Sequence, residues 1–180
     1  GWTSNNSQRV DTRMGNQWQP SDFHYRQIIK NGETGFFFED NARIFARMRE
    51  KDARDNSSGI IGCNPCAEQI LHDFEMCNLV ENFLPRMPKD PVAAFESIKH
   101  SYWFAKAISL LHHHTEPVER ACRDKMRLGV SLSGICDVDW IDRKILRTWY
   151  YELKQEDVRF SKEFACKEAH ALTSIKPSGT

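Results

Sequence analysis

The sequence predicts an α/β fold in which strands alternate with long helices and pair in parallel. Apolar residues recur at a spacing of three and four over residues 90–113, which is typical of a helix packed on a core. Short runs of apolar and small residues, at 79–83 and 128–134, predict strands on either side of such helices. Parallel strands need a long crossover between them, and a helix is the usual crossover.

Composition limits the classes of protein to consider. The chain has 180 residues, about the size of one domain with a genuine core, and its 25 basic residues balance 25 acidic ones. No net charge therefore directs it to nucleic acid or to an anionic membrane. No apolar run approaches the roughly 18–20 residues of a membrane span. Six irregularly spaced cysteines favour reduced thiols in a cytoplasmic protein over three disulfides.

The individual elements follow along the chain. The first thirty residues are polar and predict loop with short ordered pieces, followed by a turn at 31–35. Asp90 is an N-cap residue, and Pro91 suits the first helical position. The remaining predictions are a strand or helix start at 36–38, strands at 79–83, 128–134 and 173–176, and helices at 41–55, 90–113, 116–127, 141–151 and 155–167.

The segment Asn64-Pro65-Cys66-Ala67-Glu68 is the strongest candidate for chemistry. Proline biases the residue before it toward extended geometry, and in an extended segment alternate side chains share one face. Asn64, Cys66 and Glu68 would then present an amide, a thiol and a carboxylate together. Glu68 would serve as a general base beside a reactive sulfur. The alternatives are a buried structural cysteine and a solvated loop carboxylate.

Other interpretations of the cysteines remain open at this point. Cys63 and Cys66 form a C-x-x-C pair that could be a thioredoxin-like dithiol, although such a motif should open a helix. Together with His72 and Cys77 they could hold a structural zinc, although the spacing is not a common one. The run His112-His113-His114 stands at a helix end and is typical of an exposed stretch. We therefore expect no metal site.

A second candidate site lies at the end of the sequence. Ser178, Gly179 and Thr180 follow a predicted strand. Backbone N–H groups in such a turn, together with a following helix N-terminus, can cradle a phosphate.

Taken together, these stretches resemble the catalytic subunit of ribonucleotide reductase, specifically the adenosylcobalamin-dependent class II enzymes. The Asn-Pro-Cys-x-Glu loop with Cys77 eleven residues beyond Cys66 is the most specific part of the match. The form Cys77-Asn78-Leu79-Val80-Glu81 is similar to the monomeric branch, which acts on nucleoside triphosphates. The matching stretches are residues 31–35, 64–68, 77–81, 127–134 and 175–180.

The resemblance implies a fold and a role for each site residue. Residues 1–180 would be a fragment, truncated at both ends, of a ten-stranded α/β barrel with the Asn-Pro-Cys loop at its centre. Cys66 would carry the thiyl radical, Glu68 would take the 3′-hydroxyl proton and Asn64 would hydrogen-bond the ribose. Cys77 would be one of two reducing cysteines, its partner lying upstream of the chain. The substrate phosphates would bind Pro177, Ser178, Gly179 and Thr180.

The resemblance also implies cofactors and partners. Adenosylcobalamin would be the cofactor, with most of its site outside this chain, and thioredoxin or a similar dithiol would be the reductant. The full-length protein would bind a nucleotide effector, and the fragment alone would be inactive. The alternatives are a class I large-subunit fragment acting on diphosphates and, from another class of protein, a small zinc-stabilised binding module.

Overall fold

The computed structural model describes residues 7–10, 18–32, 35–45 and 59–176. The chain divides into two compact units, residues 1–73 and 74–180. The predicted phosphate-binding segment, residues 177–180, lies outside the described residues. So do most of the helix predicted at 41–55 and two residues of the turn predicted at 31–35. No helix in the described ranges is long and apolar enough to cross a membrane.

The first unit contains one parallel pair of strands and one antiparallel hairpin. Strands β1 and β2 pair in parallel, from Ser7 opposite Gly35 to Val10 opposite Phe38. Strands β3 and β4 pair antiparallel, with Cys63 opposite Ile70. The elements are β1 Ser7–Val10, α1 Asp22–Asn31, β2 Gly35–Phe38, α2 Glu39–Phe45, β3 Ile60–Cys63 and β4 Ile70–His72.

Helix α1 occupies a stretch that the sequence analysis predicted mainly as loop, and that prediction is wrong for residues 22–30. Two end signals account for the helix. The Ser21 backbone N–H donates to His24 Nδ1 at 3.1 Å across the first turn. At the other end Gly32 is left-handed, with φ of 75°, and its N–H donates to the Ile28 carbonyl at 2.8 Å. Serine before the helix and glycine after it outweigh the polar composition between them.

The second unit is a three-stranded parallel sheet in the order β5-β6-β7, with helices as crossovers. The predicted α/β class with parallel pairing is confirmed here. Asp90 caps α3 by accepting the Ala93 N–H at 2.9 Å, as predicted. The elements are β5 Asn78–Phe83, α3 Pro91–Ser109, α4 Glu116–Lys125, β6 Arg127–Ser133, α5 Arg143–Glu163 and β7 Ala171–Thr173.

The core of this unit lies between one face of the sheet and helices α3 and α5. Leu128 and Val130 of β6 pack against buried side chains of both helices. Burying an aliphatic or aromatic side chain of this size contributes about 1.5–3 kcal/mol each. The buried cluster comprises Leu84, Ala94, Ile98, Tyr102, Ala105, Leu128, Val130, Trp149, Leu153 and Leu172.

The boundaries predicted for the last helices and for the last strand differ from the structure. The helices predicted at 141–151 and 155–167 are one continuous helix, α5, because residues 152–154 include neither glycine nor proline. Leu153, in the predicted gap, is buried in the core, and its packing stabilises the helical conformation across the gap. The last strand ends at Thr173 and begins earlier than predicted, at Ala171.

Candidate active site

The Asn-Pro-Cys loop is the tip of the β3–β4 hairpin. Asn64 closes its base: the Asn64 N–H donates to the Gln69 carbonyl at 3.0 Å, and the Gln69 N–H donates to Asn64 Oδ1 at 3.0 Å. Asn64 is only 6 % exposed. Its amide oxygen is therefore used to hold the loop, and its amide nitrogen is the end that can donate to a ligand.

The tip itself is a tight turn, so the predicted extended conformation of residues 64–68 is wrong. The Ala67 N–H donates to the Asn64 carbonyl at 2.9 Å, and Ala67 has a positive φ of 62°. Pro65 occupies the second position of this four-residue turn, where its fixed φ is favourable. Proline restricts its own backbone dihedral angles and those of the residue before it, but it does not force the following residues into an extended conformation. The argument that alternate side chains share a face does not apply here.

Glu68 is buried more deeply than a solvated loop carboxylate. Both of its carboxylate oxygens are inaccessible to solvent and have no hydrogen-bond partner among the residues that the structure describes. Burial, followed by the negative charge of Glu68, raises the pKa of the neighbouring Cys63 thiol. A buried carboxylate without a donor is costly. A ligand that brings a hydroxyl or another donor to this position would relieve that cost.

The cysteines form no disulfide, and all six lie in the described ranges. Cys66 is half-buried in the turn, and Cys77 is half-buried directly before β5 in the second unit. A thioredoxin-like dithiol should open a helix, whereas Cys63 ends strand β3 and Cys66 lies within the hairpin turn that follows. Within the described part of the chain, no three His, Cys, Asp or Glu side chains could hold a metal ion. The zinc interpretation therefore lacks a ligand set.

A cavity of about 300 Å³ adjoins the loop within the first unit. Arg9 lines this cavity and contacts Glu39, which is 1 % exposed and also contacts Arg43. Arg43 in turn donates to the Ile60 carbonyl at 2.9 Å, so the Glu39–Arg43 ion pair is attached to the first residue of the hairpin. The lining residues are Ser7, Arg9, Phe37, Ile61, Gly62, Cys63, Asn64 and Pro65. The sequence analysis missed Arg9 and Glu39, because neither lies in a recognisable motif.

Comparison with known proteins identifies the relatives of this chain. No family model matches it. An adenosylcobalamin-dependent ribonucleoside-triphosphate reductase of Euglena gracilis is 34% identical over 191 residues, which cover 100% of this chain and 24% of that protein. A probable enzyme of the same name from Dictyostelium discoideum is 31% identical, again over 100% of this chain and 24% of the relative.

A solved structure agrees with the sequence relatives. The crystal structure of a B12-dependent class II ribonucleotide reductase matches with a TM-score of 0.72 and 24% identity, over 99% of this chain and 28% of that one. The chain is thus homologous to one segment of the ribonucleotide reductases and spans about a quarter of the length of the curated relatives it matches. Those relatives are adenosylcobalamin-dependent ribonucleoside-triphosphate reductases, as the sequence resemblance predicted.

Proposed function

We propose that this chain forms part of the active site of an adenosylcobalamin-dependent enzyme that reduces ribonucleoside triphosphates to 2′-deoxyribonucleotides. The names of the curated relatives support this activity. The observation that carries the proposal is the closed hairpin loop, which holds an amide, a half-buried thiol and a carboxylate within five residues; the carboxylate oxygens are buried and have no hydrogen-bond partner among the described residues.

Each side chain of the loop has a step in this reaction. Cys66, as a thiyl radical, takes the hydrogen from C3′ of the ribose, so that an S–H bond forms as the C3′–H bond breaks. Glu68 accepts the proton of the 3′-hydroxyl, which supplies the donor that its buried oxygens lack. The 2′-hydroxyl then leaves as water; the two reducing thiols supply the proton for that water and the hydrogen that replaces the hydroxyl at C2′, and Cys66 finally returns its hydrogen to C3′. Asn64 donates from its amide nitrogen to a ribose hydroxyl, since its oxygen is occupied by Gln69.

Adenosylcobalamin, when bound, supplies the radical-initiating chemistry. The residues of this chain fit that role in one respect: the Cys66 thiol is half-buried and is not consumed in a disulfide. We assign no residue of this chain to holding the cofactor. Cys77 supplies one of the two thiols that are oxidised to a disulfide as the substrate is reduced, and thioredoxin or a similar dithiol restores it by exchange.

The finer parts of the proposal follow the same resemblance. The parallel β5-β6-β7 sheet with its helical crossovers supports part of a ten-stranded α/β barrel. Pro177, Ser178, Gly179 and Thr180 bind the triphosphate, and a nucleotide effector binds elsewhere in the full-length protein. Six cysteines without a disulfide suit a reducing compartment such as the cytoplasm.

The test is turnover by the full-length protein, measured as deoxyribonucleotide formed in the presence of adenosylcobalamin and a dithiol. We expect Cys66→Ser to abolish product and Glu68→Gln to slow the reaction by about 10²–10⁴-fold, the usual contribution of a general base. Cys63→Ser, an exchange of the neighbouring thiol, should retain most of the activity.

Three outcomes would contradict the proposal. Turnover by the Cys66→Ser protein would remove the thiyl role. Loss of activity with Cys63→Ser equal to that with Cys66→Ser would favour a dithiol. Turnover that needs a second subunit and no adenosylcobalamin would favour the class I alternative.

A further inference from the structure

The chain directly before Cys77 is fixed by a buried ion pair within the second unit. Arg127, the first residue of β6, donates from Nε to Glu75 Oε1 at 3.2 Å and from Nη2 to Glu75 Oε2 at 3.4 Å. Both side chains are 0 % exposed. Two parallel hydrogen bonds to one carboxylate fix its orientation as well as its distance. The Glu75–Arg127 ion pair therefore holds the chain two residues before Cys77.

A second element contacts the residue between Glu75 and Cys77. Cys122 of α4 is buried, and the Met76 backbone N–H donates to its sulfur. Burial raises the pKa of the Cys122 thiol, the Met76 N–H acts in the opposite direction, and the charge of Glu75 adds to the rise. The segment before Cys77 is thus held by both β6 and α4.

The residue after Cys77 is held as well. Asn78 begins β5 and lies opposite Leu128 in the parallel register, so Cys77 and Arg127 each stand one residue before the first pair of the ladder. Asn78 Nδ2 also donates to the hydroxyl of the buried Ser109 in α3 at 2.6 Å. Because the backbone is held on either side, the side-chain torsion of Cys77 sets where its sulfur lies.

The backbone of this segment is strained at its start. Phe74 has a φ of 59°, in the left-handed region that residues other than glycine rarely adopt. Such a conformation persists only where the surrounding contacts hold it. The ion pair on the very next residue supplies contacts of that kind.

A buried ion pair holds this segment in a way that apolar side chains would not. Taking both charges out of water offsets much of their attraction, so apolar residues of similar volume are often as stabilising. What apolar residues lack is direction, because two hydrogen bonds fix a carboxylate whereas an apolar contact tolerates small shifts. The Glu75–Arg127 ion pair therefore places the backbone more than it stabilises the fold.

We propose that Glu75 and Arg127 are positioning residues for the Cys77 thiol: their ion pair fixes the preceding backbone, so that the sulfur is presented in one place. This inference rests on the proposed function, in which Cys77 is one of the two reducing thiols. Both residues act through Cys77. A misplacement of about 1 Å can slow a reaction about 10²-fold, so a fixed backbone at this point controls the rate of the reducing step.

Apolar replacement of the whole ion pair separates position from stability in the full-length protein. The double variant Glu75→Leu with Arg127→Met buries no charge, so its thermal unfolding midpoint should stay close to that of the parent protein. We expect kcat for the reduction of cytidine triphosphate to fall about 10- to 100-fold, while KM changes less than about twofold. A double variant with the kcat of the parent protein would overturn the inference.

Arg127→Lys gives the same decision if the double variant does not fold. Lysine keeps the positive charge but loses the two-pronged geometry of the guanidinium. Its kcat should lie between those of the parent protein and the double variant, again with KM nearly unchanged. An unchanged kcat in Arg127→Lys, where the double variant does not fold, would refute the positioning role.

Alkylation of Cys77 by iodoacetamide tests its position without any need for turnover. In the double variant this half-buried thiol should react about 10-fold faster, because the segment before it opens more often. The exposed Cys136 is the internal control, with an unchanged rate. Tyr102→Phe weakens the same unit through a different contact and should leave the Cys77 rate within about twofold. An unchanged Cys77 rate in the double variant, or an equal rise in Tyr102→Phe, would contradict the inference.

Failure of the inference and failure of the proposed function are distinguishable. A parent protein that forms no deoxyribonucleotide would refute the proposed function, whereas faster alkylation of Cys77 in the double variant would still show that the ion pair positions this thiol. A parent protein that turns over, with a double variant equal to it in kcat and in alkylation, would leave the proposed function intact and refute the positioning role.

Discussion

At the scale of single residues, Asn64 shows how one side chain can close a loop and still keep a hydrogen-bond donor. Its oxygen accepts the Gln69 N–H and closes the hairpin loop, while its nitrogen remains the donor end. The sequence analysis assigned Asn64 to substrate binding from the resemblance alone. The structural task of the oxygen depends on where Gln69 lies after the turn, which no motif specifies.

Cys63 offers a direct test of the charge on Glu68. Burial first, and then Glu68, raises the pKa of the Cys63 thiol above its usual value, so less thiolate is present at a given alkaline pH. We expect Glu68→Gln to remove the second cause and shift the alkylation profile of Cys63 by iodoacetamide to lower pH. Peptide mass spectrometry of the full-length protein would measure the rate at each pH.

The exposed Cys136 provides the internal control for that experiment, because its alkylation should be the same in the parent protein and the variant. An unchanged Cys63 profile in Glu68→Gln would show that the carboxylate is not charged beside this thiol.

At the scale of elements, the capping residues at helix ends are the sequence signals that predict a helix most reliably. The start of α3 was predicted from Asp90 and Pro91, and the structure shows that cap. The same logic, applied to Ser21 and Gly32, would have found α1. The break predicted at residues 152–154 is absent, because burial of Leu153 in the core favours one continuous helix α5. Local chemistry fixes helix ends, whereas packing decides whether a helix continues.

The N-cap of α5 gives a stability prediction at this scale. Asp142 Oδ1 accepts the Ile145 N–H at 2.7 Å. Asp142→Ala should lower the free energy of unfolding of this unit by about 1 kcal/mol, since the N–H loses its acceptor. Asp142→Asn should recover most of that loss. Hydrogen exchange of the first-turn amides of α5 in the full-length protein would measure the loss of stability in each variant.

Asp139→Ala is the matched control, because Asp139 is an exposed aspartate just outside the helix. Equal amide exchange in the two alanine variants would show that the cap contributes nothing.

At the scale of the second unit as a whole, a buried ion pair joins the two long helices to the segment that precedes the last strand. Lys106 of α3 is 0 % exposed, and its Nζ donates to Asp157 Oδ1 of α5 at 2.8 Å and to the Lys167 carbonyl at 2.7 Å. The Tyr102 hydroxyl also donates to Asp157 Oδ1, and the Ala169 N–H to Oδ2, both at 2.7 Å. Burial, and then Asp157, raises the pKa of Tyr102. The phenol therefore stays protonated and remains a donor.

Removal of one partner of this ion pair should lower the stability of the protein strongly. Lys106→Met leaves the Asp157 charge buried without its cation, which costs about 3–5 kcal/mol. The thermal unfolding midpoint of the full-length protein should fall accordingly. Tyr102→Phe, which removes one neutral donor, should cost about 1 kcal/mol. A Lys106→Met protein as stable as the parent would show that the ion pair does not stabilise the packing of the two helices and the segment before β7.

The sequence by itself determined the α/β class, the parallel strands β5 and β6 and the cap of α3, and it predicted residues 64–68 and 77 as candidates for chemistry. These depend on local preferences and on motifs, which are written in consecutive residues. Only the tertiary structure decided that the loop is a turn closed by Asn64, that the carboxylate oxygens of Glu68 are buried with no hydrogen-bond partner in the part of the chain that the structure describes, and that Ser131 contacts both Glu81 and Lys176. Those features depend on contacts between residues distant in the sequence or across a turn, because hydrogen bonding and burial are settled only when the chain has folded.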